Sequence, residues 1–143
     1  MTDPHHLQRF VEAQDGLFEA ALGELRAGSK QTHWMWFIFP QLRGLGRSST
    51  AQYYGISGLD EARAYLEHRL LGPRLRQCVE ALLPWADRRS TEQILGAVDA
   101  LKLRSSLTLF DRLEPNELFD EALAAFYGGE RDDRTLALLD GEG

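Results

Sequence analysis

Residues 33–40 read HWMWFIFP, and the conformation of this apolar run decides the fold class of the chain. A run of this length is compatible with a buried strand or a buried helical turn, because periodicity alone does not separate the two. Strand signals elsewhere in the sequence are weak, so a strand here would lack the partners that a stable sheet needs. We therefore predict an all-α fold in which residues 33–40 form a buried aromatic segment.

The segments on either side of this run carry apolar residues at helical spacing. Together they predict about six to eight helices in a single compact domain that covers residues 1–143. The first predicted helix runs from Asp3 to a glycine stop at Gly28. A later helix is predicted to open at Pro115 and to stop at Gly128.

Capping residues predict where several of these helices begin. The candidate caps are Ser57 with Asp60, Ser90 with Gln93, and Asp99 alone. The large apolar residues of the helices and of the aromatic run are expected to form the core. Those predicted to be buried are Phe10, Phe18, Phe37, Phe39, Leu75, Leu107 and Phe126.

Length and composition limit the class of protein. A chain of 143 residues with 43% hydrophobic and 27% charged residues is typical of one globular domain. Its net charge of −6 argues against broad nucleic-acid binding, because an acidic surface repels phosphates.

Cys78 is the lone cysteine, so an internal disulfide is excluded and a reducing compartment is expected. No apolar run has the length of a signal peptide core or a membrane span, and we therefore predict a cytoplasmic protein without membrane contact.

Residues 27–59 differ in charge from the rest of this acidic chain, since they contain no Asp or Glu. Their fixed charges are those of Lys30, Arg43 and Arg47. The same segment holds the aromatic residues Trp34, Trp36, Phe37, Phe39, Tyr53 and Tyr54. A cationic and aromatic segment of this kind is typical of a site for an anionic ligand with a flat ring.

A sequence pattern runs through this segment and beyond it. It consists of Lys30, HWMWFIFPQ at 33–41, GLG at 44–46, Ser48, LDEARAYL at 59–66, LGPRL at 71–75 and KLRSSLTLF at 102–110. The pattern resembles the bacterial family catalogued as domain of unknown function 1810, and the resemblance covers nearly the whole chain. It implies a mainly helical single domain and brings no established activity.

The loop RGLGRSST at 43–50 indicates a phosphate site. Gly44 and Gly46 are expected to adopt positive φ, so that backbone N–H groups can approach a ligand. Ser48 or Ser49 would cap the following helix, and the two arginines of the loop would complete a clamp on an anion at its N-terminus. The alternative is a glycine turn before a capped helix, with both arginines in solvent.

Two rings, those of Trp34 and Tyr53, are expected to be exposed, because each neighbours a polar residue. They would stack on a base or another flat ring, whereas the alternative is that they only pack in the core. His33 would bind a phosphate or ribose, or act as a general acid or base, and its alternative is a structural role. No histidine–carboxylate spacing matches a zinc site, so neither a metal nor a cofactor is predicted.

A second basic cluster, Lys102 with Arg104, lies on a predicted helix. If this helix packs against the loop at 43–50, the two residues would share a phosphate with Arg47. In the alternative, both form ordinary exposed ion pairs with Asp or Glu. The sequence leaves the choice open.

Residues 50–54, TAQYY, resemble the Glu-His-Tyr-Tyr segment of YbiA-type N-glycosidases. The resemblance implies cleavage of an N-glycosidic bond on a ribose phosphate, a reaction assisted by a carboxylate. Ala51 stands where that family has its glutamate. A carboxylate would therefore have to come from elsewhere, with Asp60, Glu61 and Asp99 as candidates.

Two functions follow from these observations. In the first, the protein binds a phosphorylated small molecule with an aromatic ring, such as a nucleotide or an ADP-ribose derivative. A variant of this prediction adds hydrolysis of the bound molecule. In the second, residues 27–59 form a surface that docks an acidic partner protein, since Trp, Tyr and Arg are frequent interface anchors. A concave pocket lined by Lys30, His33 and Arg47 would favour the ligand, and a flat exposed patch would favour the partner. Spacing assigns no catalytic residue.

Overall fold

A computed structural model describes residues 3–141, and within that range the chain forms ten α-helices, two 3-10 turns and no strand. The all-α prediction is confirmed, whereas the predicted number of helices was too low. The helices are α1 Gln8–Gln14, α2 Phe18–Arg26, α3 Met35–Ile38, α4 Ser49–Tyr54, α5 Leu59–Glu67, α6 Leu71–Leu82, α7 Thr91–Leu95, α8 Ala97–Asp111, α9 Glu117–Tyr127 and α10 Asp133–Gly141. The 3-10 turns lie at Arg43–Leu45 and Leu83–Trp85. The ends of the predicted domain, residues 1–2 and 142–143, lie outside the described residues.

The first predicted helix is in fact two, which explains part of the difference in number. α1 ends at Gln14, and Asp15 leaves the helix with an extended ψ of 122°. Gly16 then adopts a φ of +76°, a left-handed conformation that glycine reaches more easily than other residues. Both α1 and α2 bury apolar residues in the same core, so their sequence pattern resembles that of one helix.

Residues 33–40 contain a short helix rather than a strand. α3 is a single turn, and Met35, Ile38 and Phe39 are buried in the core. An isolated parallel bridge joins Leu42 to Ile56, and it does not extend into a sheet within residues 3–141. The prediction of a buried aromatic segment is confirmed.

α8 lies at the centre of the core, because it packs against α5, α7, α9 and α10. Its Phe110 contacts two further rings, with centroids 5.6 Å from Tyr65 and 5.8 Å from Phe119. Burial is confirmed for the predicted core residues Phe10, Phe18, Phe39, Leu75 and Leu107. It was wrong for Phe37 and Phe126, which pack against the core from its edge and are only partly buried.

Helix ends agree with the predictions where the signal is local in sequence. Ser90 and Gln93 form the predicted capping box at the start of α7. Gly128 ends α9 in the left-handed conformation, at φ 62°. Gly28, just beyond the end of α2, has φ +70° and serves as the predicted stop.

Two predicted caps are wrong. α5 begins after Gly58, and the N–H and hydroxyl of Ser57 both donate to Glu61 Oε1 instead of forming a capping box with Asp60. Asp99 lies inside the first turn of α8 and forms ion pairs with two lysines instead of capping the helix. In both cases, a glycine occupies the cap position instead, Gly58 for α5 and Gly96 for α8.

Candidate functional site

One face of α8 opens onto a cavity of about 420 Å³. Val98, Leu101, Lys102 and Ser105 share this face, since Leu101 and Lys102 each lie three or four residues from both Val98 and Ser105. The remaining walls come from α3 and the segment after it, and from the start of α10. We call this space the Trp36–Lys102 cavity. Its lining residues are Trp36, Gln41, Leu45, Gly46, Val98, Leu101, Lys102, Arg104, Ser105, Asp132 and Arg134.

The ammonium group of Lys102 is held over an aromatic ring. Its Nζ lies 4.0 Å from the centroid of the Trp36 ring and 3.4 Å from Asp99 Oδ1. The other oxygen of Asp99 lies 3.1 Å from Nζ of Lys30, which is not one of the lining residues. Asp99 therefore fixes Lys102 at the cavity and shares its negative charge between two lysines.

Arg104 and Asp132 are a loosely paired couple in the same cavity. Arg104 Nη2 lies 3.9 Å from Asp132 Oδ1, and the buried Nε of Arg104 has no hydrogen-bond partner among residues 3–141. The other oxygen of Asp132, Oδ2, accepts hydrogen bonds from the Ser105 hydroxyl at 3.0 Å and the Thr135 N–H at 3.1 Å. Asp132 is thus fixed in position through Oδ2, while Oδ1 lies at the longer distance of 3.9 Å from Arg104 Nη2.

The fixed charges of the cavity are mostly positive. Of the described residues that line it, Lys102, Arg104 and Arg134 are cationic and Asp132 is the one carboxylate. This local excess contrasts with the net charge of −6 for the whole chain. A cavity of this kind attracts an anion, because low-dielectric walls concentrate the field of the charges.

Apolar side chains are exposed beside these cations. Val98 is 67% exposed and Leu101 is 61% exposed. Trp36, across the cavity, is partly exposed. Covering such surfaces releases about 25 cal/mol per Å² of apolar area, so the flat face of a ring would be stabilised here.

Comparisons with known proteins identify the family of this chain. The family model described as "Protein of unknown function (DUF1810)" matches residues 4–139. The chain belongs to this family. It is similar to the conserved hypothetical protein Rv1873 from Mycobacterium tuberculosis, with 54% sequence identity and a TM-score of 0.93 over 96% of this chain and 99% of that chain. The comparison with curated proteins gives no match.

The glycine loop of this DUF1810 chain has a different geometry from the predicted one. Gly46 is extended at φ −129°, Gly44 lies in a 3-10 turn, and neither has the expected positive φ. The glycines serve close packing instead. A Cβ on Gly46 would lie 2.6 Å from Ala51 Cβ, and one on Gly44 would lie 3.2 Å from Leu138 Cδ1. Gly46 therefore brings the loop against α4 and places it at the cavity wall.

The polar residues around this loop lie in different environments. Ser48 caps α4 as predicted, and its hydroxyl oxygen accepts the N–H of Ala51 at 3.1 Å. Arg47 and His33 are exposed, and neither lines the Trp36–Lys102 cavity. The condition stated for the ligand function, a concave pocket lined by Lys30, His33 and Arg47, is therefore not met by this cavity.

Arg43 and Tyr53 meet at a second cavity, of about 430 Å³. Tyr53 is 50% exposed, as predicted, and Arg43 Nη2 donates to the Gly55 carbonyl at 3.1 Å. A buried ion pair between Arg9 and Glu61, with an N–O distance of 2.6 Å, belongs to the lining of this cavity. Of the predicted site residues, Gly46, Lys102 and Arg104 therefore line the first cavity, and Arg43 and Tyr53 line the second. The others line neither cavity: Lys30, His33, Trp34, Gly44, Arg47 and Ser48.

Trp34 is only 2% exposed, so the prediction of an exposed ring was wrong. Its indole N–H donates to Glu24 Oε1 at 2.9 Å, and Lys30 Nζ lies 5.1 Å from its ring centroid. Glu24 also accepts the backbone N–H groups of Gln31 and Thr32 and the Thr32 hydroxyl. Burial by itself would raise the pKa of Glu24, but these hydrogen bonds outweigh it and lower the pKa to about 2.

Sequence patterns miss Trp36, Asp132 and Arg134 as members of the site. Trp36 and Trp34 belong to the same apolar run, and nothing local tells which ring stays accessible. Asp132 precedes α10, a position that identifies a helix start but not a cavity. Only the packing of α10 on α8 brings Asp132 and Arg134 to the site.

The structure also addresses membranes and metals. None of the helices between residues 3 and 141 combines the length and the apolar character needed to cross a membrane. Over the same range, no three His, Cys, Asp or Glu side chains are grouped so that they could hold a metal ion.

Proposed function

We propose that the protein binds an anionic small molecule with a phosphate group and an aromatic ring, such as a nucleotide or an ADP-ribose derivative, in the Trp36–Lys102 cavity. One observation carries the proposal: cationic side chains, a tryptophan ring and exposed apolar side chains line a single concave space. The size of the cavity supports it, since pockets for small molecules commonly enclose about 300–1,000 Å³.

The cations would bind the phosphate. Lys102 supplies a compact ammonium group, and Arg104 supplies a planar guanidinium. Hydrogen bonds between such groups and phosphate oxygens are charge-assisted, and they are roughly twice as strong as neutral ones. Gly46, without a side chain, leaves the loop backbone accessible at the wall of the cavity.

The aromatic part of the ligand would lie between Trp36 and the apolar rim formed by Val98 and Leu101. Stacking of a base on an aromatic side chain contributes about 1–3 kcal/mol. Lys102, which lies over the Trp36 ring, would turn its ammonium group toward the phosphate. The long, flexible lysine side chain permits this movement, and the charge-assisted contact with the phosphate would offset the loss of the contact with the ring.

Calorimetric titration with AMP and ADP-ribose tests the proposal. Lys102→Met keeps the aliphatic stem, and Arg104→Gln keeps a polar group of similar reach, so either change mainly removes a cation. Each should weaken binding by about 1.5–3 kcal/mol, or about 10- to 150-fold. Arg112→Gln is the matched control, because Arg112 follows α8 and forms an exposed ion pair with Asp140. Unchanged affinity in both cavity variants would contradict the proposal.

We further propose that the protein hydrolyses the bound ligand. Chromatography of the titration mixtures detects the products of this reaction. Asp132 is the carboxylate at the cavity, whereas Asp99 is engaged by two lysines and Glu61 belongs to the second cavity. Release of free base or ribose phosphate over hours, absent in Asp132→Asn, would make the protein a hydrolase. An unchanged ligand would restrict its function to binding.

A second candidate function is docking of an acidic partner protein, and the exposure of Val98 and Leu101 supports it. These side chains adjoin Lys102 and Arg104, a combination that suits an apolar anchor flanked by carboxylates. Leu101→Ser would then weaken association with the partner, and no small molecule would bind to the wild-type protein. Nucleotide binding that survives Leu101→Ser would favour the ligand instead.

A further inference from the structure

We propose that Asp132 selects the ligand of the Trp36–Lys102 cavity by accepting a hydrogen bond from a sugar hydroxyl, so that the ligand class is a ribose phosphate. This inference rests on the proposed function and goes beyond it. It concerns which anion fits the cavity rather than whether an anion binds there.

The two oxygens of the Asp132 carboxylate have different surroundings. Oδ2 accepts three hydrogen bonds, from the Ser105 hydroxyl, the Thr135 hydroxyl and the Thr135 backbone N–H. Oδ1 accepts none from the described residues, and Arg104 Nη2, at 3.9 Å, is beyond hydrogen-bond distance. The carboxylate is therefore held rigidly through one oxygen and offers the other at the cavity wall.

An unpaired carboxylate oxygen is unfavourable for a simple anion. Inorganic phosphate would be attracted by Lys102, Arg104 and Arg134, but it would be repelled by Asp132. A ligand that also donates a hydrogen bond to Oδ1 replaces this repulsion with a charge-assisted contact. The cavity is thus complementary to a molecule that carries both an anionic group and a hydrogen-bond donor.

The spacing of the protein groups favours a hydroxyl as that donor. Arg104 Nη2 and Asp132 Oδ1 lie 3.9 Å apart, so a phosphate on one and a donor on the other must be close together in the ligand. Sugar hydroxyls lie near the phosphate of a ribose phosphate, whereas the amino group of a base lies at the far end of a nucleotide. Carboxylates that accept ribose hydroxyls are a familiar feature of nucleotide sites.

Titration of the wild-type protein with AMP, 2′,3′-dideoxy-AMP and inorganic phosphate tests the inference. AMP should bind at least about tenfold more tightly than its dideoxy analogue, because the analogue leaves Oδ1 without a donor. Inorganic phosphate should bind more weakly than AMP. Equal affinity for AMP and dideoxy-AMP would overturn the inference while leaving the proposed function intact. Absence of binding by all three probes would overturn both.

Asp132→Asn tests whether Asp132 is the acceptor. The amide oxygen can still accept the Thr135 N–H, and the amide nitrogen would replace the free acceptor with a donor. The ratio of the affinities for AMP and dideoxy-AMP should fall to about one. Asp133→Asn removes the same charge from the neighbouring exposed position, and it should keep the preference. A preference that persists in Asp132→Asn would overturn the role of Asp132. The comparison of AMP with dideoxy-AMP on the wild-type protein tests the role of the sugar hydroxyl even if this variant does not fold.

Discussion

Single side chains hold the aromatic segment in place, and Glu24 is the clearest case. It lies on α2 and accepts hydrogen bonds from Gln31, Thr32 and Trp34, which together connect α2 to the start of α3. No sequence motif predicts this role, because the donors are two backbone N–H groups, a hydroxyl and an indole that only the fold brings together. The same side chain explains why Trp34 is buried and unavailable to a ligand.

Glu24 should make the stability of the protein depend on pH. Its pKa is about 2 when folded and close to 4.5 when unfolded, so its stabilisation is complete above the unfolded value and is lost as pH falls toward 2. Glu24→Gln should lower the free energy of unfolding at pH 7 by about 2 kcal/mol and flatten its decline between pH 5 and pH 2. Urea unfolding at several pH values measures both effects. Glu19→Gln, at an exposed position of α2, is the control and should leave the profile unchanged.

At the scale of elements, the predictions succeeded where a few neighbouring residues determine the conformation. The capping box of Ser90 and Gln93 is one case, and the left-handed Gly128 at the end of α9 is another. Predictions failed where two local arrangements compete, as when Ser57 bonds to Glu61, four residues along the chain, instead of forming a cap with Asp60. The turn at Gly16 escaped prediction because α1 and α2 bury their apolar residues in one core.

Prediction of the candidate site followed the same division. Sequence patterns predicted that Lys102 and Arg104 would share a phosphate with Arg47 if their helix packed against the glycine loop, and the structure places Gly46 of that loop in their cavity without Arg47. Patterns could not show that Arg47 is absent from the lining of that cavity or that Asp132 belongs to it. Both outcomes depend on how α10 packs against α8 and against the turn at Arg43–Leu45.

The contact between the glycine loop and α4 can be tested by adding one methyl group. A Cβ on Gly46 would lie 2.6 Å from Ala51 Cβ, closer than real Cβ atoms approach, so the loop or α4 must shift. Gly46→Ala should therefore cost about 1–3 kcal/mol of stability, as overpacking does. Gly58→Ala is the control, because its backbone is extended and no atom lies within 4 Å of an added Cβ. Equal denaturation midpoints for the two variants would contradict the packing argument.

At the scale of the whole molecule, charge is distributed unevenly between the surface and the interior. The chain carries a net charge of −6, yet its candidate ligand cavity is mostly cationic. A buried ion pair lies at the second cavity, where Arg9 and Glu61 are each only 3% exposed. The two cavities differ in how closely their charges are paired: the ion pairs at the first have N–O distances of 3.4 and 3.9 Å, whereas Arg9 and Glu61 at the second are 2.6 Å apart.

Arg9 connects several parts of the molecule at that second cavity. Its guanidinium donates to the Tyr53 carbonyl at 2.7 Å, the Gly55 carbonyl at 3.1 Å and Glu61 Oε2 at 2.6 Å, and it also bonds to two carbonyls before α1. It thereby joins α1, the end of α4 and the start of α5. Such an arrangement satisfies both charges only while both partners are present.

Changing both Arg9 and Glu61 should therefore cost less stability than the two single changes added together. Arg9→Met leaves the Glu61 carboxylate buried without a cation, and it should cost about 3–5 kcal/mol of stability. Adding Glu61→Gln neutralises that charge while keeping an acceptor for Ser57, so the double variant should be less destabilised than the sum of the two single changes by about 1–3 kcal/mol. Urea denaturation of the four proteins measures this coupling. Additive effects would mean that Arg9 acts through its backbone contacts alone, with the ion pair contributing nothing to the join between α1, α4 and α5.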